Sequence, residues 1–496
     1  ARRGRGRGRG AWRERGARRG GDRPMSAADL PRLLAGAPGP GPTTLGEHLA
    51  LHGLPALAPD PGALLDAVEQ AGLRGRGGAS FPTAHKLRTL AAARGRLRRR
   101  PLAIVANGAE GEPASGKDRA LLTRSPHLVL DGLQLLALAL GARELHVAVR
   151  ANAPSHQARE QRRVSHRSGT KLSAAQVIDA ALTERAVAGR DHVPVTVTEL
   201  PAGFVAGEER AVVSALNGGA AVPSLARPWE RGVGGAPTLV QNVETLAHVA
   251  LIARHGAAWF RALGSDTEPG STLVTIGGAV ARPGVREVAL GTPLAALLDA
   301  AGAGLADEQR RVLVAERPKV AGALAQAAGA PRAAALLVGG YAGGWISSAA
   351  AAGTRLLEAD LRPLGATVGC GVIAVLPRGA CGVAETVRLT RWLADESAGQ
   401  CGPCVHGLDA IASALEPLRE PGRPVDDPLP GVRRWCGDVS GRGACRHPDG
   451  AVRMLRSALR LFAAEFDDHA RNGACAACAA TPTLPLPAPG PTVVMA

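Results

Sequence analysis

Paired cysteines late in the chain offer the clearest metal-binding chemistry. Cys401 and Cys404 form a C-x₂-C pair, and Cys445 follows further along. Such a pair at the start of a helix suits either a zinc ion or an iron–sulfur cluster. All eight cysteines lie after residue 369, and cysteines of an intracellular chain are thiols or metal ligands more often than disulfides. The sequence therefore predicts a distinct C-terminal metal module.

A glycine-rich segment early in the chain could hold an anion. Clustered glycines let backbone N–H groups approach a phosphate closely, and two basic side chains add positive charge. A phenylalanine beside them, one of five in the chain, could stack on a planar ring. A simple turn before a helix is the alternative interpretation. The segment contains Gly75, Arg76, Gly77, Gly78, Phe81 and Lys86.

Three later segments could contact a sugar or a heterocycle. Asn107, Glu110 and Glu112 follow an apolar run, and ligands bind at the carboxyl ends of strands in open α/β sheets. Two carboxylates follow Gly207 at the start of a helix, where one would suffice as a cap. Adjacent amides before another helix could contact a ring edge. Each signal is weak alone, because acidic loops are common on surfaces. The last two sets are Gly207, Glu208 and Glu209, and Gln241, Asn242 and Thr245.

One apparent motif is rejected. Residues 111–118 nearly match a P-loop, but Asp118 stands where a Ser or Thr should hold Mg²⁺. Pro113 also removes a backbone N–H from the phosphate cradle. The sequence therefore does not predict an ATPase.

An α/β framework is needed to bring these segments together. Short apolar runs at 102–106, 145–149 and 193–200 alternate with helices, one of them over 126–141. This alternation favours a parallel sheet covered by helices. We expect a basic arm at 1–24, a helical lead-in at 25–59, an α/β domain at 60–262, a small mixed module at 268–348 containing a hairpin at 272–288, a helical unit at 380–472 and a Pro-rich tail at 480–496.

The net charge of +16 on 496 residues invites a nucleic-acid interpretation. Half of that excess lies in residues 1–24, where ten Arg face only Glu14 and Asp22. The tract ends just before Met25, so we expect a solvated arm or an extension upstream of the true start. No apolar segment follows it as in a secretory signal, and no apolar run reaches the roughly 18 residues that span a membrane. We expect a soluble, intracellular protein that binds no nucleic acid.

Taken together and in this order, the motifs resemble the flavin- and NADH-binding 51-kDa-type subunit of respiratory complex I. Similar subunits occur in NAD-linked hydrogenases and formate dehydrogenases. The resemblance covers roughly residues 60–470 and implies FMN, NAD(H) and an iron–sulfur cluster as cofactors. It also implies that the 272–288 hairpin belongs to a β-grasp module of the SLBB type, and that the C-terminal helices form a bundle with an iron–sulfur-type cysteine motif.

The resemblance assigns a role to each matching residue. It implies that Gly75 to Gly78 form a loop around FMN, that Phe81 stacks on NADH and that Lys86 is the family's basic position. It also implies that Asn107, Glu110 and Glu112 contact the flavin and the nicotinamide. Gly207 to Glu209 would form an acidic segment beside both molecules, and Asn242 with Thr245 would contact a flavin edge. Three substitutions depart from the family pattern: Ser80 for Gly, Ala109 for an acidic flavin contact and Gln241 for Asn.

The cluster site departs most from the family. Where the family has C-x₂-C-x₂-C and a distant fourth Cys, Ala398 occupies the first position, so only Cys401, Cys404 and Cys445 match. Three thiolates could hold a 3Fe–4S cluster, or a 4Fe–4S cluster with a different fourth ligand; zinc or no metal are the alternatives. We favour a cluster because Cys445 keeps its expected separation. Candidate fourth ligands are Ser397, Cys436, water or another group.

We therefore expect an NADH dehydrogenase (quinone)-like oxidoreductase. Electrons would pass from NADH through FMN and the cluster to a partner protein with a thioredoxin-like 2Fe–2S or other ferredoxin-type centre. The protein would be cytoplasmic, at most held at the inner face of a membrane by partners. The alternative is a non-catalytic scaffold or assembly paralogue that keeps flavin but lost electron exit with Ala398. Cys475 and Cys478 form an extra pair, which we expect to be mobile thiols in the tail.

Overall fold

The computed structural model describes residues 30–36, 41–54, 61–96, 101–151, 172–304, 333–422 and 424–487. The arm expected at residues 1–24 lies outside these ranges. Three units follow one another along the described chain: an α/β unit, a mixed β unit and a helical unit. No helix in these ranges is both long enough and apolar enough to cross a membrane.

The α/β unit has a four-stranded parallel sheet in the order β3-β2-β1-β4. Its central strand β1 is buried along nearly its whole length, because helices cover both faces of the sheet. The predicted helix-covered parallel sheet is confirmed. The elements are α1 (Leu45–His52), α2 (Pro61–Ala71), α3 (Thr83–Arg96), β1 (Leu102–Gly108), α4 (Lys117–Arg124), α5 (Pro126–Leu140), β2 (Ala142–Arg150), α6 (Ala174–Val187), β3 (Val195–Leu200), α7 (Glu209–Leu216), β4 (Thr238–Asn242) and α8 (Val243–Arg261).

The strand order creates a crevice beside β1. The chain passes from β1 to β2 and β3 on one side, and then returns to β4 on the other side. Asn107 near the end of β1 is therefore the register neighbour of Asn242 at the end of β4. Connections diverge at such a switch point, which is where open α/β sheets bind ligands.

The mixed β unit has a five-stranded sheet in the order β6-β5-β9-β7-β8. Its first two strands form the predicted hairpin, with Thr275 opposite Val285. The central strand β9 pairs parallel with β5 and antiparallel with β7. Because β9 comes from beyond residue 348, the sheet extends past the range expected for this module. The elements are β5 (Ser271–Gly278), β6 (Gly284–Ala289), α9 (Leu294–Ala301), β7 (Ala333–Val338), β8 (Gly344–Ser347), α10 (Ser348–Gly353), α11 (Glu358–Leu361) and β9 (Val372–Pro377).

The helical unit packs around one apolar core. Leu389, Leu415, Leu455 and Phe466 are fully or almost fully buried within it, as expected for amphipathic helices that face each other. A π-helical turn, Pro403–Leu408, leads directly into α13. The elements are α12 (Gly382–Asp395), α13 (Asp409–Leu415), α14 (Leu429–Val439), α15 (His447–Leu461) and α16 (Ala463–Asn472).

Candidate functional site

Two asparagines organise the crevice at the ends of β1 and β4. The Nδ2 of Asn242 donates to the backbone O of Asn107 at 3.3 Å and to Asp118 Oδ2 at 2.8 Å. The Oδ1 of Asn242 accepts from the backbone N of Glu244 at 3.0 Å and so caps α8. Asn107 in turn donates through Nδ2 to the backbone O of Gly207 at 2.8 Å. Hydrogen bonds from these two side chains to the backbone therefore join the end of β1 to the end of β4 and to Gly207.

The glycine-rich loop closes over this crevice. A Cβ added to Gly77 would lie 3.2 Å from the Cβ of Asn242, so a side chain there would fill the space between the loop and the strand end. The backbone N of Arg76 donates to Thr245 Oγ1 at 2.9 Å, which ties the loop to α8. The Arg76 guanidinium is buried, and among the described residues its Nε has no hydrogen-bond partner. Burial lowers the pKa of Arg76.

The acidic loop and the Gly207 segment lie back to back. A Cβ on Gly111 would come within 2.3 Å of the backbone O of Phe204, and one on Gly207 within 2.2 Å of the backbone O of Ala109. Only glycine allows these approaches. Ala109, which replaces an acidic residue of the family, is buried at this contact.

Glu112 is a buried carboxylate in the acidic loop. Its Oε2 accepts from the backbone N of Tyr341 at 2.7 Å, and its Oε1 from that of Ala114 at 3.2 Å. Burial raises the pKa of Glu112 to about 7, although both hydrogen bonds oppose the shift. Glu110, by contrast, is partly exposed and accepts from Ser115 Oγ and the backbone N of Asp118.

The two carboxylates after Gly207 have different partners. Glu208 caps α7, because its Oε2 accepts from the backbone N of Arg210 at 2.9 Å. Glu209 instead pairs with Lys86, whose Nζ lies 2.6 Å from Oε2 and 3.4 Å from the backbone O of Val240. Lys86 and Glu209 are partly exposed. The pair thus joins the start of α3 to the crevice.

The remaining predicted residues lie on either side of the loop. Phe81 is 44% exposed and meets the His85 ring edge-on at 5.5 Å between centroids, so a large part of Phe81 is accessible to a ligand. Gln241 is buried, with its Nε2 3.5 Å from Thr83 Oγ1. Ser80, where the family has Gly, adopts a left-handed backbone with φ of 51°, which explains why glycine is favoured there.

A buried lysine that the sequence did not single out lies beneath the crevice. The Nζ of Lys117 is 2.6 Å from Asp118 Oδ1, 3.0 Å from Glu244 Oε2 and 3.4 Å from Asn242 Oδ1. Although burial favours the neutral amine, the two carboxylates raise the pKa of Lys117, which keeps it charged. In the sequence, Lys117 appeared only as the lysine of the rejected P-loop-like stretch at residues 111–118. Its partner Glu244 is remote in sequence.

The three predicted cysteine ligands come together in the helical unit. Cys401 and Cys404 flank the start of the π-helical turn, and Cys445 precedes α15. Burial, and then the thiols of Cys401 and Cys445, raise the pKa of Cys404 to about 12. Cys436 has different neighbours: burial raises its pKa to about 11, while Arg456 and Arg433 oppose the shift. Cys401 and Cys445 thus act on the Cys404 thiol, whereas Cys436 has other charged neighbours.

A short segment links the crevice to these cysteines. The Nη2 of Arg210 donates to the backbone O of Ala444 at 2.7 Å, next to Cys445. The Phe204 ring contacts the His447 ring edge-on, with 5.4 Å between centroids. The backbone N of Phe204 donates to Glu396 Oε2 at 2.7 Å. Residues 203–210 thus contact the acidic loop on one side and the cysteine site on the other.

The expectation that Cys475 and Cys478 are mobile thiols is wrong. Their Sγ atoms lie with Cys381 Sγ and a ring nitrogen of His469, all within 4.8 Å of one another. These four residues form a second cysteine group, distinct in membership from the first. The sequence could not show this group, because Cys381 and His469 carry no local motif.

Comparisons with known proteins match all three units. Residues 68–251 match the Nuo51 FMN-binding domain, residues 273–322 the SLBB domain, and residues 384–469 the NADH-ubiquinone oxidoreductase-F iron–sulfur binding region. The second F-type subunit of NADH-quinone oxidoreductase in Rhizobium meliloti is 28% identical over 421 residues, which is 84% of this chain and 90% of that protein. The F-type subunit of the Streptomyces coelicolor enzyme is 28% identical over 436 residues, 86% and 88% of the two chains.

A similar solved structure is that of an NAD⁺-reducing [NiFe]-hydrogenase in its H₂-reduced state. The two align with a TM-score of 0.66 and 28% identity over 83% of this chain. This chain spans 63% of the hydrogenase chain.

Fold and sequence together define a chain with a Nuo51-type FMN-binding domain, an SLBB domain and an iron–sulfur binding region. The chain is related over most of its length to the F-type subunits of NADH-quinone oxidoreductase. The resemblance predicted from the motifs is confirmed.

Proposed function

We propose that this chain oxidises NADH with bound FMN and passes the electrons through an iron–sulfur cluster to a partner protein. The observation that carries the proposal is the continuity of the two sites. The crevice between β1 and β4 connects through residues 203–210 to the loop that holds Cys445. Flavin accepts a hydride from nicotinamide and can release electrons singly, which is the chemistry such a path requires.

The residues of the crevice fit a flavin phosphate and a planar ring. The unpaired Nε of buried Arg76 can donate to an anion, and Gly77 leaves open the space that a Cβ would fill. Lys86 and Lys117 are each paired with carboxylates and so add no net positive charge, which leaves Arg76 as the cation for the phosphate. We propose that Asn107, Asn242 and the carboxylates orient the ring system, since no general base is needed for hydride transfer between stacked rings.

We propose that the exposed part of Phe81 stacks on the nicotinamide or adenine part of NADH. Glu208 is held by the helix that it caps, and Glu209 is held by its pair with Lys86. Their role is therefore to shape and orient this side of the crevice.

We propose that Cys401, Cys404 and Cys445 hold the cluster. Metal binding must displace the thiol protons, so cluster assembly at this site is pH-dependent. With Ala398 in place of the family's first cysteine, the cluster has either three irons or a fourth ligand other than cysteine. The raised pKa of Cys404 and Cys445 is consistent with buried thiols that need a metal to become thiolates.

We further propose that the electron acceptor is a partner protein with a 2Fe–2S or ferredoxin-type centre, and that the chain works in the cytoplasm, reaching a membrane only through partners. The relatives are named as subunits of NADH-quinone oxidoreductase, which supports a multi-subunit assembly.

One experiment tests the proposal directly. The chain is purified without oxygen, and its absorption spectrum is recorded before and after NADH. A flavin spectrum that bleaches with NADH, activity with ferricyanide and a cluster signal in electron paramagnetic resonance are expected. Protein without flavin overturns the proposal. Flavin with ferricyanide activity but no cluster signal limits the chain to a diaphorase, and flavin without activity favours the scaffold alternative.

A further inference from the structure

We propose that Cys381, His469, Cys475 and Cys478 bind one zinc ion, which fastens the C-terminal segment to the helical unit. Their four ligand atoms all lie within 4.8 Å of one another. Three thiolates and one imidazole make a closed ligand set of the kind that holds structural zinc, with no open position for a substrate.

The distances within the group match tetrahedral coordination. Zn–S bonds of about 2.3 Å and Zn–N bonds of about 2.0 Å place sulfur atoms about 3.8 Å apart, and sulfur about 3.6 Å from nitrogen. Cys475 Sγ lies 3.8 Å from Cys478 Sγ, which lies 3.5 Å from Cys381 Sγ. Cys381 Sγ is 3.7 Å from His469 Nε2. One ion fits at the centre with little movement of the side chains.

The surroundings prepare two of the ligands. The Nδ1 of His469 lies 2.9 Å from the backbone O of Leu418, and a carbonyl can only accept. Nδ1 therefore carries the proton, and the lone pair of Nε2 points toward the sulfur atoms, an arrangement common behind zinc-bound histidines. Cys381 Sγ accepts from the backbone N of Ala384 at 3.2 Å at the start of α12, which fixes the position of this sulfur.

The spacing distinguishes a single ion from other uses of cysteine. A disulfide needs sulfur atoms about 2.0 Å apart, and it would not explain the histidine. An iron–sulfur cluster places several irons between its ligands and therefore needs a wider arrangement. The group is also separate from the first cysteine site. The thiols that raise the pKa of Cys404 are Cys401 and Cys445, and neither belongs to the four residues of this group.

The ion would anchor a segment that continues toward the crevice. After Cys478 the chain runs along α12, where Arg388 Nη2 donates to the backbone O of Leu484 at 2.7 Å. Leu484 is buried, and Tyr341 Oη donates to the backbone O of Pro485. The backbone N of Tyr341 donates to Glu112. The zinc ion thus holds one end of a segment whose other end packs beside the acidic loop. The Pro-rich tail therefore packs against the helical unit through Leu484, Pro485 and Leu486.

The experiment measures zinc and iron in the full-length chain purified without oxygen. About one zinc per chain is expected, with X-ray absorption showing three sulfur atoms at about 2.3 Å and one nitrogen at about 2.0 Å. The double variant Cys475→Ser/Cys478→Ser should lose zinc and keep iron. Cys401→Ser should lose iron and keep zinc, and Cys436→Ala, a buried cysteine outside both groups, should keep both metals.

Release from the unmodified chain gives a second test that needs no variant. A thiol-binding mercurial should release the zinc, measured with a colorimetric chelator, and should make residues 473–487 sensitive to protease. Full-length protein without zinc, zinc that stays in the double variant, or a disulfide joining any two of the three cysteines in anaerobic protein would each overturn the proposal.

Discussion

Lys117 is the residue on which the floor of the crevice most depends. Its ammonium lies between the buried carboxylates of Asp118 and Glu244. Lys117→Met leaves both carboxylates without their cation, and loss of one partner from a buried ion pair costs about 3–5 kcal/mol. We expect a loss of stability of that order, measured by urea unfolding followed by circular dichroism.

Lys86→Met is the matched control. Lys86 also pairs with a carboxylate, at 2.6 Å from Glu209, but both side chains are partly exposed. Exposed pairs contribute about 0–1 kcal/mol, so this variant should unfold close to the wild-type urea concentration. Equal losses for the two lysines would contradict the assignment of Lys117 as a buried structural cation.

We expect the free energy of unfolding to depend on pH through Glu112. Its pKa is about 7 in the folded chain against 4.5 unfolded, with burial as the main cause. Between these values the folded state binds the proton more tightly, so this group's contribution to the free energy of unfolding falls as pH rises from about 4.5 to 7. At about 1.4 kcal/mol per pKa unit, the fall is about 3 kcal/mol.

Glu112→Gln isolates that contribution. The amide cannot ionise, so the variant should gain stability relative to wild type as pH rises through this window, with thermal unfolding as the measurement. A constant difference between the two proteins from pH 5 to 8 would show that Glu112 does not titrate there. Glu110→Gln, on a partly exposed side chain of the same loop, is the control.

The helices and strands of the α/β unit could be predicted from the sequence, because short β-branched runs and a leucine-rich helix have residue patterns typical of buried elements. The glycine loop and the acidic loop could be predicted as well, because their motifs lie beside those elements. The pairing between elements that are distant in the chain could not be predicted from the sequence. Neither the placement of β9 at the centre of the second sheet nor the contact of Lys117 with Glu244 follows from local spacing. The meeting of Cys381 with the tail cysteines is of the same kind.

We expect a substitution in the glycine-rich loop to weaken FMN binding. Gly77→Ala places a Cβ 3.2 Å from the Cβ of Asn242, inside the crevice. Overpacking of this kind costs about 1–3 kcal/mol, and here we expect it as weaker FMN binding, measured by fluorescence titration of flavin-free protein. Gly75→Ala is the control, because its Cβ would meet Phe81 O at an ordinary 3.5 Å. Unchanged FMN affinity in Gly77→Ala would remove the loop from the flavin site.

The molecule as a whole joins its flavin-binding and cysteine-bearing units through residues 203–210, and two kinds of contact hold that junction. The Phe204 ring packs against Trp392 and His447, with centroids 5.3 Å and 5.4 Å away. Arg210 reaches across to the backbone O of Ala444. If electrons leave the flavin by this route, their rate depends on how closely the junction holds the loop of Cys445 to the crevice.

Arg210→Gln tests that dependence. The shorter, neutral side chain loses both the contact with Ala444 and the pair with Glu208 at 3.0 Å. We expect unchanged FMN content and ferricyanide activity, since ferricyanide can take electrons from the flavin directly, but severalfold slower reduction of the cluster by NADH in freeze-quench electron paramagnetic resonance. Arg227→Gln, in an exposed pair with Glu230, should change neither. Equal cluster reduction in both variants would mean that electrons leave the flavin by another route, whereas loss of FMN from Arg210→Gln would place the junction within the flavin site itself.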